Sequence, residues 1–489
     1  MTALAGAPST RRIHWKTIDW STVEYEVKRL QLRIAKAIKI GRYGKAKALQ
    51  WLLTHSFYAK LLAVKRVTQN NGKRTPGIDG IVWKTDKQKI DAAYALKRKG
   101  YQAQPLRRIY IPKKNGKLRA LGIPTKTDRA QQALHLMGLI PIAEILADKN
   151  SYGFRPKRST HDAVAQCFIL LSQENSAQWV LEGDIKACFD RISHEWLEKH
   201  IMMDKTVLKQ WLKAGFIEKD VFNDTEEGTP QGGIASPTLA NITLDGLEKT
   251  IQNLAKRGEK INFVRYADDF ICTADSKEIL ETKIQPAIIN FLRERGLELS
   301  LEKTKITHIN EGFDFLGFNI RKYGDKLLIK PSNASVKKFT ESIRETIKKL
   351  INSPTIKLIA NLNSKIRGWT NYYRGCVAKE IFNDIDTVVF ETIWRMLKRK
   401  HSNKSISWIR RKYFTEIGPR KWCFFSKANT NKGIKLYTLI KAAMTKIKRH
   451  VKIRGEATPF DSDFDEYFTT RENMLKRERI NSRIVNKQS

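Results

Sequence analysis

The chain has 489 residues with 41% hydrophobic content, enough for two to four domains around sizeable cores, so a multidomain globular protein is expected. Its 91 Lys and Arg against 50 Asp and Glu leave a formal net charge of +41, an excess that calls for a polyanionic partner, nucleic acid before all others. No run of about 18 apolar residues and no lipidation signal is present, which argues against a membrane protein.

Residues 1–9 lack a basic leader before Arg11 and Arg12, so no signal peptide is read there and a cytoplasmic location is expected. Five cysteines (Cys167, Cys188, Cys272, Cys376, Cys423) are scattered and never form Cys-x-x-Cys, so buried thiols are expected rather than disulfides or a zinc site.

From residue 11 the first clear signal is helical. Val23, Val27, Leu30, Ile34 and Ala37 recur at spacings of three and four, with Lys28, Arg29, Arg33, Lys36 and Lys39 between them. Such a face can simply be solvated, but charge of nearly one sign also suits RNA. The turn-rich stretch Lys73-Arg74-Thr75-Pro76-Gly77-Ile78-Asp79-Gly80 closes this region.

Residues 107–119 read as two strands around a Lys-Asn-Gly turn, which hangs several cations over one cleft. They suit a nucleoside triphosphate or template phosphates. Ser151-Tyr152-Gly153-Phe154-Arg155-Pro156-Lys157-Arg158-Ser159 mixes basic and aromatic residues in a way that fits a template strand.

Three blocks then follow in a fixed order. The apolar strand Trp179-Val180-Leu181-Glu182-Gly183-Asp184 ends in a carboxylate, with the aromatic Phe189 five residues later. Gly228-Thr229-Pro230-Gln231-Gly232-Gly233 is a loop that opens an apolar helix. Phe263-Val264-Arg265-Tyr266-Ala267-Asp268-Asp269-Phe270-Ile271-Cys272 reads as a hairpin with Asp268 and Asp269 at its tip. Aspartates are also ordinary turn residues. An aspartate closing one strand and a pair on a neighbouring tip can, however, converge on two divalent cations, as in-line nucleotidyl transfer requires.

Beyond residue 330 positive charge is denser, with 35 Lys and Arg against 14 Asp and Glu. Leu362-Asn363-Ser364-Lys365-Ile366-Arg367-Gly368-Trp369-Thr370-Asn371-Tyr372-Tyr373-Arg374 interleaves cations with aromatics, a mixture that suits nucleic acid and equally a buried helical bundle. Leu436, Leu439, Ile440, Ala443, Met444 and Ile447 lie at helical spacing, so a helix is expected from about 433 to 449.

In this order and with these spacers, the Asp184, Pro230-Gln231-Gly232 and Tyr266-Ala267-Asp268-Asp269 blocks resemble the palm of a reverse transcriptase. The segments around Leu62 to Gly80 and Leu362 to Arg374 narrow the resemblance to group II intron-encoded proteins. It implies an α+β right-hand polymerase: an RNA-binding N-terminal extension over 1–100, fingers and palm over 101–330, a helical thumb or maturase domain over 331–404, and a small helical basic DNA-binding domain over 405–489. The activity implied is RNA-directed DNA synthesis, with maturase assistance to splicing and insertion of the intron into DNA. The alternatives are a splicing cofactor with an unused polymerase site and a free-standing reverse transcriptase.

On this resemblance Asp184, Asp268 and Asp269 hold two Mg²⁺ ions, and Lys113 and Arg119 meet the triphosphate. Phe189 packs under the sugar or is a core residue; Gln231 lines the nucleotide pocket. Lys303 either acts on the leaving pyrophosphate or is a solvated lysine. Arg367, Trp369, Tyr372, Tyr373, Arg374, Lys448 and Arg449 face RNA or DNA. Partners implied are intron RNA, target DNA and deoxynucleoside triphosphates, with no membrane and no zinc. With no cysteine after Cys423, a zinc-supported HNH endonuclease is not expected.

Overall fold

The computed structural model describes residues 14–488 apart from 113–115, 117, 219–220, 230–231, 419 and 431–432. Asp19 starts helix α1 (Trp20–Lys39) by accepting from Ser21 N. The periodic residues Val23, Val27, Leu30, Ile34 and Ala37 are all buried there. They pack with α2 (Tyr43–His55) and α3 (Phe57–Gln69), while α4 (Asp86–Ala95) opens with a Thr85/Gln88 capping box. The turn at 71–77 is locked inward: buried Arg129 donates to Thr75 O at 2.6 Å, and a Cβ on Gly77 would stand 2.6 Å from Thr125 Cα.

Strands β1 (Leu106–Pro112) and β2 (Leu118–Ile123) form the expected antiparallel hairpin. The long helix α5 (Lys126–Leu146) runs back into the same core as α1, and α6 (Thr160–Leu171) leads to β3 (Trp179–Asp184). Two short strands, β4 (Phe216–Glu218) and β5 (Val221–Asn223), complete a fingers sheet of order β2-β1-β4-β5.

The palm sheet has the order β6-β7-β3-β8, with β6 (Asn262–Tyr266), β7 (Asp269–Ala274) and β8 (Lys305–His308). Successive side chains alternate faces, and both faces are covered. Val180, Val264 and Ile271 join a core with α6 and the thumb, while Leu181, Phe263, Phe270 and Cys272 pack on the helices Ser236–Leu244, Leu247–Gln252 and Gln285–Arg293. All five cysteines are buried and free.

Strands β9 (Phe313–Phe315), β10 (Phe318–Tyr323) and β11 (Lys326–Pro331) form a small sheet that leads into three helices, Asn333–Lys349, Thr355–Tyr373 and Lys379–Lys400. Their apolar faces share one core, including Ile343, Leu362, Ile366, Phe382 and Ile393.

The helix expected from 433 to 449 is not formed. Instead, β12 (Phe414–Ile417), β13 (Arg420–Thr430) and β14 (Gly433–Thr438) make a sheet, and Leu436 pairs with Lys427. Ile434, Tyr437 and Thr438 favour a strand, and the long β13 supplies the partner, so pairing overrides the helical spacing. Residues beyond it follow a strap rather than a helical domain. Lys448 N donates to Arg374 O, Arg158 donates to Gly455 O, Lys28 bonds Pro459 O, and Lys39 pairs with Asp461 at 2.8 Å. The last helix, Asp465–Gln488, follows. The C-terminal region is therefore mixed sheet, strap and helix, within an α+β chain.

Candidate active site

The site is built on one antiparallel pair. Strand β3 ends at Asp184, which lies directly opposite Asp269 in β7, so both carboxylates leave the same face of the sheet. Like charges so placed repel one another, and no core function explains them. Tyr266 pairs with Asp269, leaving Ala267 and Asp268 as a two-residue turn. Ala267 has φ +59°, a left-handed conformation that an alanine adopts at a cost of about 1–2 kcal/mol.

Neighbouring residues hold that turn. Gly153 lies so close that a Cβ there would meet Ala267 N at 2.2 Å. Arg265 is fully buried, and its guanidinium donates to Ala267 O at 3.3 Å, Asn241 Oδ1 at 3.1 Å and Asp245 Oδ1 at 2.5 Å. Asn241 in turn donates to Gly153 O at 2.8 Å. Sequence reasoning gave Arg265 no role. Its signal was an arginine at an inward position of an otherwise apolar strand, which demands a buried partner.

The segment after Leu299 brings in a cation. Ser300 N donates to Asp184 O at 2.8 Å, and Lys303 Nζ reaches Asp184 Oδ2 at 2.5 Å. That hydrogen bond raises the Lys303 ammonium above its usual value. Burial, then the Asp184 charge, push Asp268 upward; Arg119 and Lys303 oppose this, which sets Arg119 of β2 within electrostatic reach of the tip. Asp269 is pushed up to about 6, first by the protein packed behind it and then by Asp268 and Asp184. Carboxylates of this kind are hard oxygen donors suited to Mg²⁺. Among the described residues no three acidic, His or Cys groups form a metal-holding cluster, and Asp184 is engaged by Lys303 instead.

Phe189 is half-buried on the short helix Cys188–Arg191, edge-on to Phe154 with ring centroids 6.3 Å apart. Phe154 is 55% exposed beside it, a partner the sequence did not single out. The loop carrying the Pro-Gln-Gly motif passes this point: Thr229 N donates to Phe189 O at 2.6 Å, and a Cβ on Gly232 would meet Gly122 O of β2 at 2.6 Å. Gln231 and Lys113 lie outside the described residues.

Several expected nucleic-acid contacts are internal. Tyr373 is buried, sharing hydroxyl hydrogen bonds with Ser335 at 2.6 Å and Gly317 O at 3.0 Å. Tyr372 donates to Leu316 O at 3.0 Å, and Trp369 stacks on Phe339 at 4.7 Å. These three aromatics seat the thumb on the palm, because the apolar rings find β10 and a neighbouring helix before they can find a base. Arg367 is exposed on the same helix, Lys448 and Arg449 are exposed on the strap, and Arg374 is half-buried. In the motif expected to meet a template, Arg155 instead forms a buried two-bond pair with Glu144 at 2.9 and 3.0 Å. Arg158 is likewise spent on backbone carbonyls.

Comparison with known proteins agrees with this geometry in extent and order. Residues 111–320 match the family described as "Reverse transcriptase (RNA-dependent DNA polymerase)", residues 15–96 the "N-terminal domain of reverse transcriptase", and residues 336–414 the "Group II intron, maturase-specific domain". Protein YkfC of Escherichia coli is 34% identical over 323 residues, covering 55% of this chain and 83% of that one. Group II intron-encoded protein LtrA of Lactococcus lactis is 32% identical over 425 residues, covering 66% of this chain and 69% of that one. Among solved structures, telomerase from Candida albicans with a fragment of telomeric RNA covers 63% of this chain and 64% of that one at 13% identity and a TM-score of 0.35, too distant to argue from.

Proposed function

The chain belongs to the group II intron-encoded reverse transcriptases, and from that premise we propose that Asp184, Asp268 and Asp269 hold two Mg²⁺ ions for copying intron RNA into cDNA. It is an RNA-directed DNA polymerase joined to a maturase domain, in a family that uses divalent metal ions. The ions supply charge stabilisation at the transferring phosphorus and a lowered pKa at the primer 3′-hydroxyl.

This chain's own residues do the positioning. Ladder pairing sets Asp184 against Asp269, and the strained turn brings Asp268 beside them. Lys303 donates to the Asp184 carboxylate and holds it in place until a cation competes for it. Arg119 meets the triphosphate of an incoming deoxynucleotide, a role that the family resemblance also gives to Lys113. Phe189, backed by Phe154, closes the space beside the nucleotide's sugar against a 2′-hydroxyl, and the family resemblance assigns Gln231 to the same nucleotide. Arg367, Arg374, Lys448 and Arg449 offer charge to intron RNA and to the target DNA into which it is inserted.

The pairing of Asp184 with Asp269 carries this reading. Replacing Asp268→Asn together with Asp269→Asn is expected to abolish primer extension, a loss of at least about 10³-fold, while binding of a labelled intron RNA stays near wild type. Full-length extension products from the double variant would remove these residues from the site.

A further inference from the structure

A second basic concavity lies away from the carboxylates, between α2, α3 and the turn that follows α4. Its volume is about 230 Å³, and its wall carries Lys60, Lys97 and Lys99 beside His55. No carboxylate pairs with these three lysines among the described residues, and Asp204, the nearby acid, is already bonded to Arg98. Burial, then the neighbouring Lys97 charge, hold Lys60 below its usual value, as expected where cations gather without an anion.

The rim of this cavity is aromatic. His55 stacks on Trp51 with ring centroids 4.1 Å apart, and its Nδ1 meets the Trp51 backbone O at 2.8 Å, which holds the imidazole against the indole. Trp51 is 60% exposed. Tyr43, Lys47, Trp51 and His55 follow one another at four-residue intervals and are all exposed, so they form one face of α2 with nothing covering it. With His55 stacked on it and 60% of its surface still exposed, the Trp51 indole keeps room for a further planar partner.

We propose that this face is a single-stranded RNA site, in which an unpaired base stacks on Trp51 and the adjoining phosphate enters the cavity between Lys60, Lys97 and Lys99. It rests on the reading of intron RNA as partner and names where the N-terminal region grips it. Aromatic stacking beside a phosphate-sized nest of lysines suits an unpaired strand, because a base inside a duplex presents no free face.

The test uses the full-length protein and a short 5-iodouridine oligoribonucleotide. Ultraviolet crosslinking is expected to give an adduct that maps to Trp51 or His55. Trp51→Ala should remove that adduct and weaken binding about tenfold, a stacking loss of ordinary size. Trp51→Phe should keep both. Lys60→Gln with Lys97→Gln should lessen the slope of log K against log salt by about 0.7, the loss of one phosphate contact on a single strand. Unchanged affinity and slope in these variants would overturn the site. So would a deoxyribo-oligomer that binds as tightly and crosslinks at the same residue. Primer extension on an oligonucleotide template, measured in parallel, reports the polymerase assignment separately, and its failure beside an intact adduct would count against that assignment alone.

Discussion

Asp162 and Asp269 are aspartates of the same palm, and their surroundings differ in kind. Asp162, near the start of α6, accepts from Ser159 N and Oγ, from His450 Nε2 and Ile453 N at 2.8 Å each, and from Arg471 at 3.2 Å. Burial alone would raise its pKa, but His450 and the backbone donors bring it below the usual carboxylate range. The Asp269 carboxylate accepts no hydrogen bond from the described residues and sits opposite Asp184, which leaves it raised. One carboxylate is satisfied by the fold and ties the strap to the palm. The other is left short of positive charge, since Lys303 opposes its rise without cancelling it, and a divalent cation would make up the shortage.

The largest effect that should follow from this contrast is at Asp162. Asp162→Ala leaves Arg471 and His450 without their shared partner in a buried position, a loss of about 3–5 kcal/mol. Urea unfolding is expected to move to clearly lower concentration, while the folded fraction still extends a primer. An unchanged midpoint would mean that the strap is held by its contacts to α1 rather than by Asp162.

Arg265 joins the two kinds of site, since its two terminal guanidinium nitrogens are paired internally yet one of them serves the turn that carries Asp268. Removing it alone would strand the buried carboxylate of Asp245, so the informative variant is Arg265→Met with Asp245→Leu, which deletes the pair together and spares the fold. The Ala267 carbonyl then loses its donor and the left-handed turn can relax. Primer extension should slow by about 10- to 100-fold, with a higher Mg²⁺ requirement. A wild-type rate and Mg²⁺ dependence would show that Gly153 and the ladder hold the tip unaided.

The two regions were unequally legible in the sequence. The β3 strand, the hairpin and the α1 stripe are local patterns, and side-chain alternation alone sets Asp184 and the Asp268-Asp269 tip on the sheet. Asp162 and His450 stand 288 positions apart, and no local rule joins them. The same distance problem bears on the thumb, where Trp369, Tyr372 and Tyr373 read as nucleic-acid contacts, whereas Phe318 of β10 packs on both tyrosines and Phe339 of a neighbouring helix stacks on Trp369. At 433–449, helical spacing yielded to a partner strand that the spacing could not reveal. Contacts that build the fold across long separations are thus the ones that sequence mistakes for function.

The smallest expected effect has the opposite sign to that at Asp162. The Asp269 carboxyl has its ordinary pKa of 3.8 when unfolded and is pushed up to about 6 in the folded, metal-free chain. Between these values the folded state holds a proton that the unfolded state has released, so stability falls as pH rises through this window and stays reduced above it. Asp269→Asn removes the penalty. In buffer with EDTA at pH 7.5 the variant should therefore melt higher than the wild type, by on the order of 1 °C because Asp269 is open to solvent. The difference should shrink as pH falls below about 6 and vanish near 4. Mg²⁺ should raise the melting temperature of the wild type and do little for the variant, since it stabilises only where the ligand is present. A variant that melts lower than the wild type at pH 7.5 in EDTA would make Asp269 a structural carboxylate like Asp162.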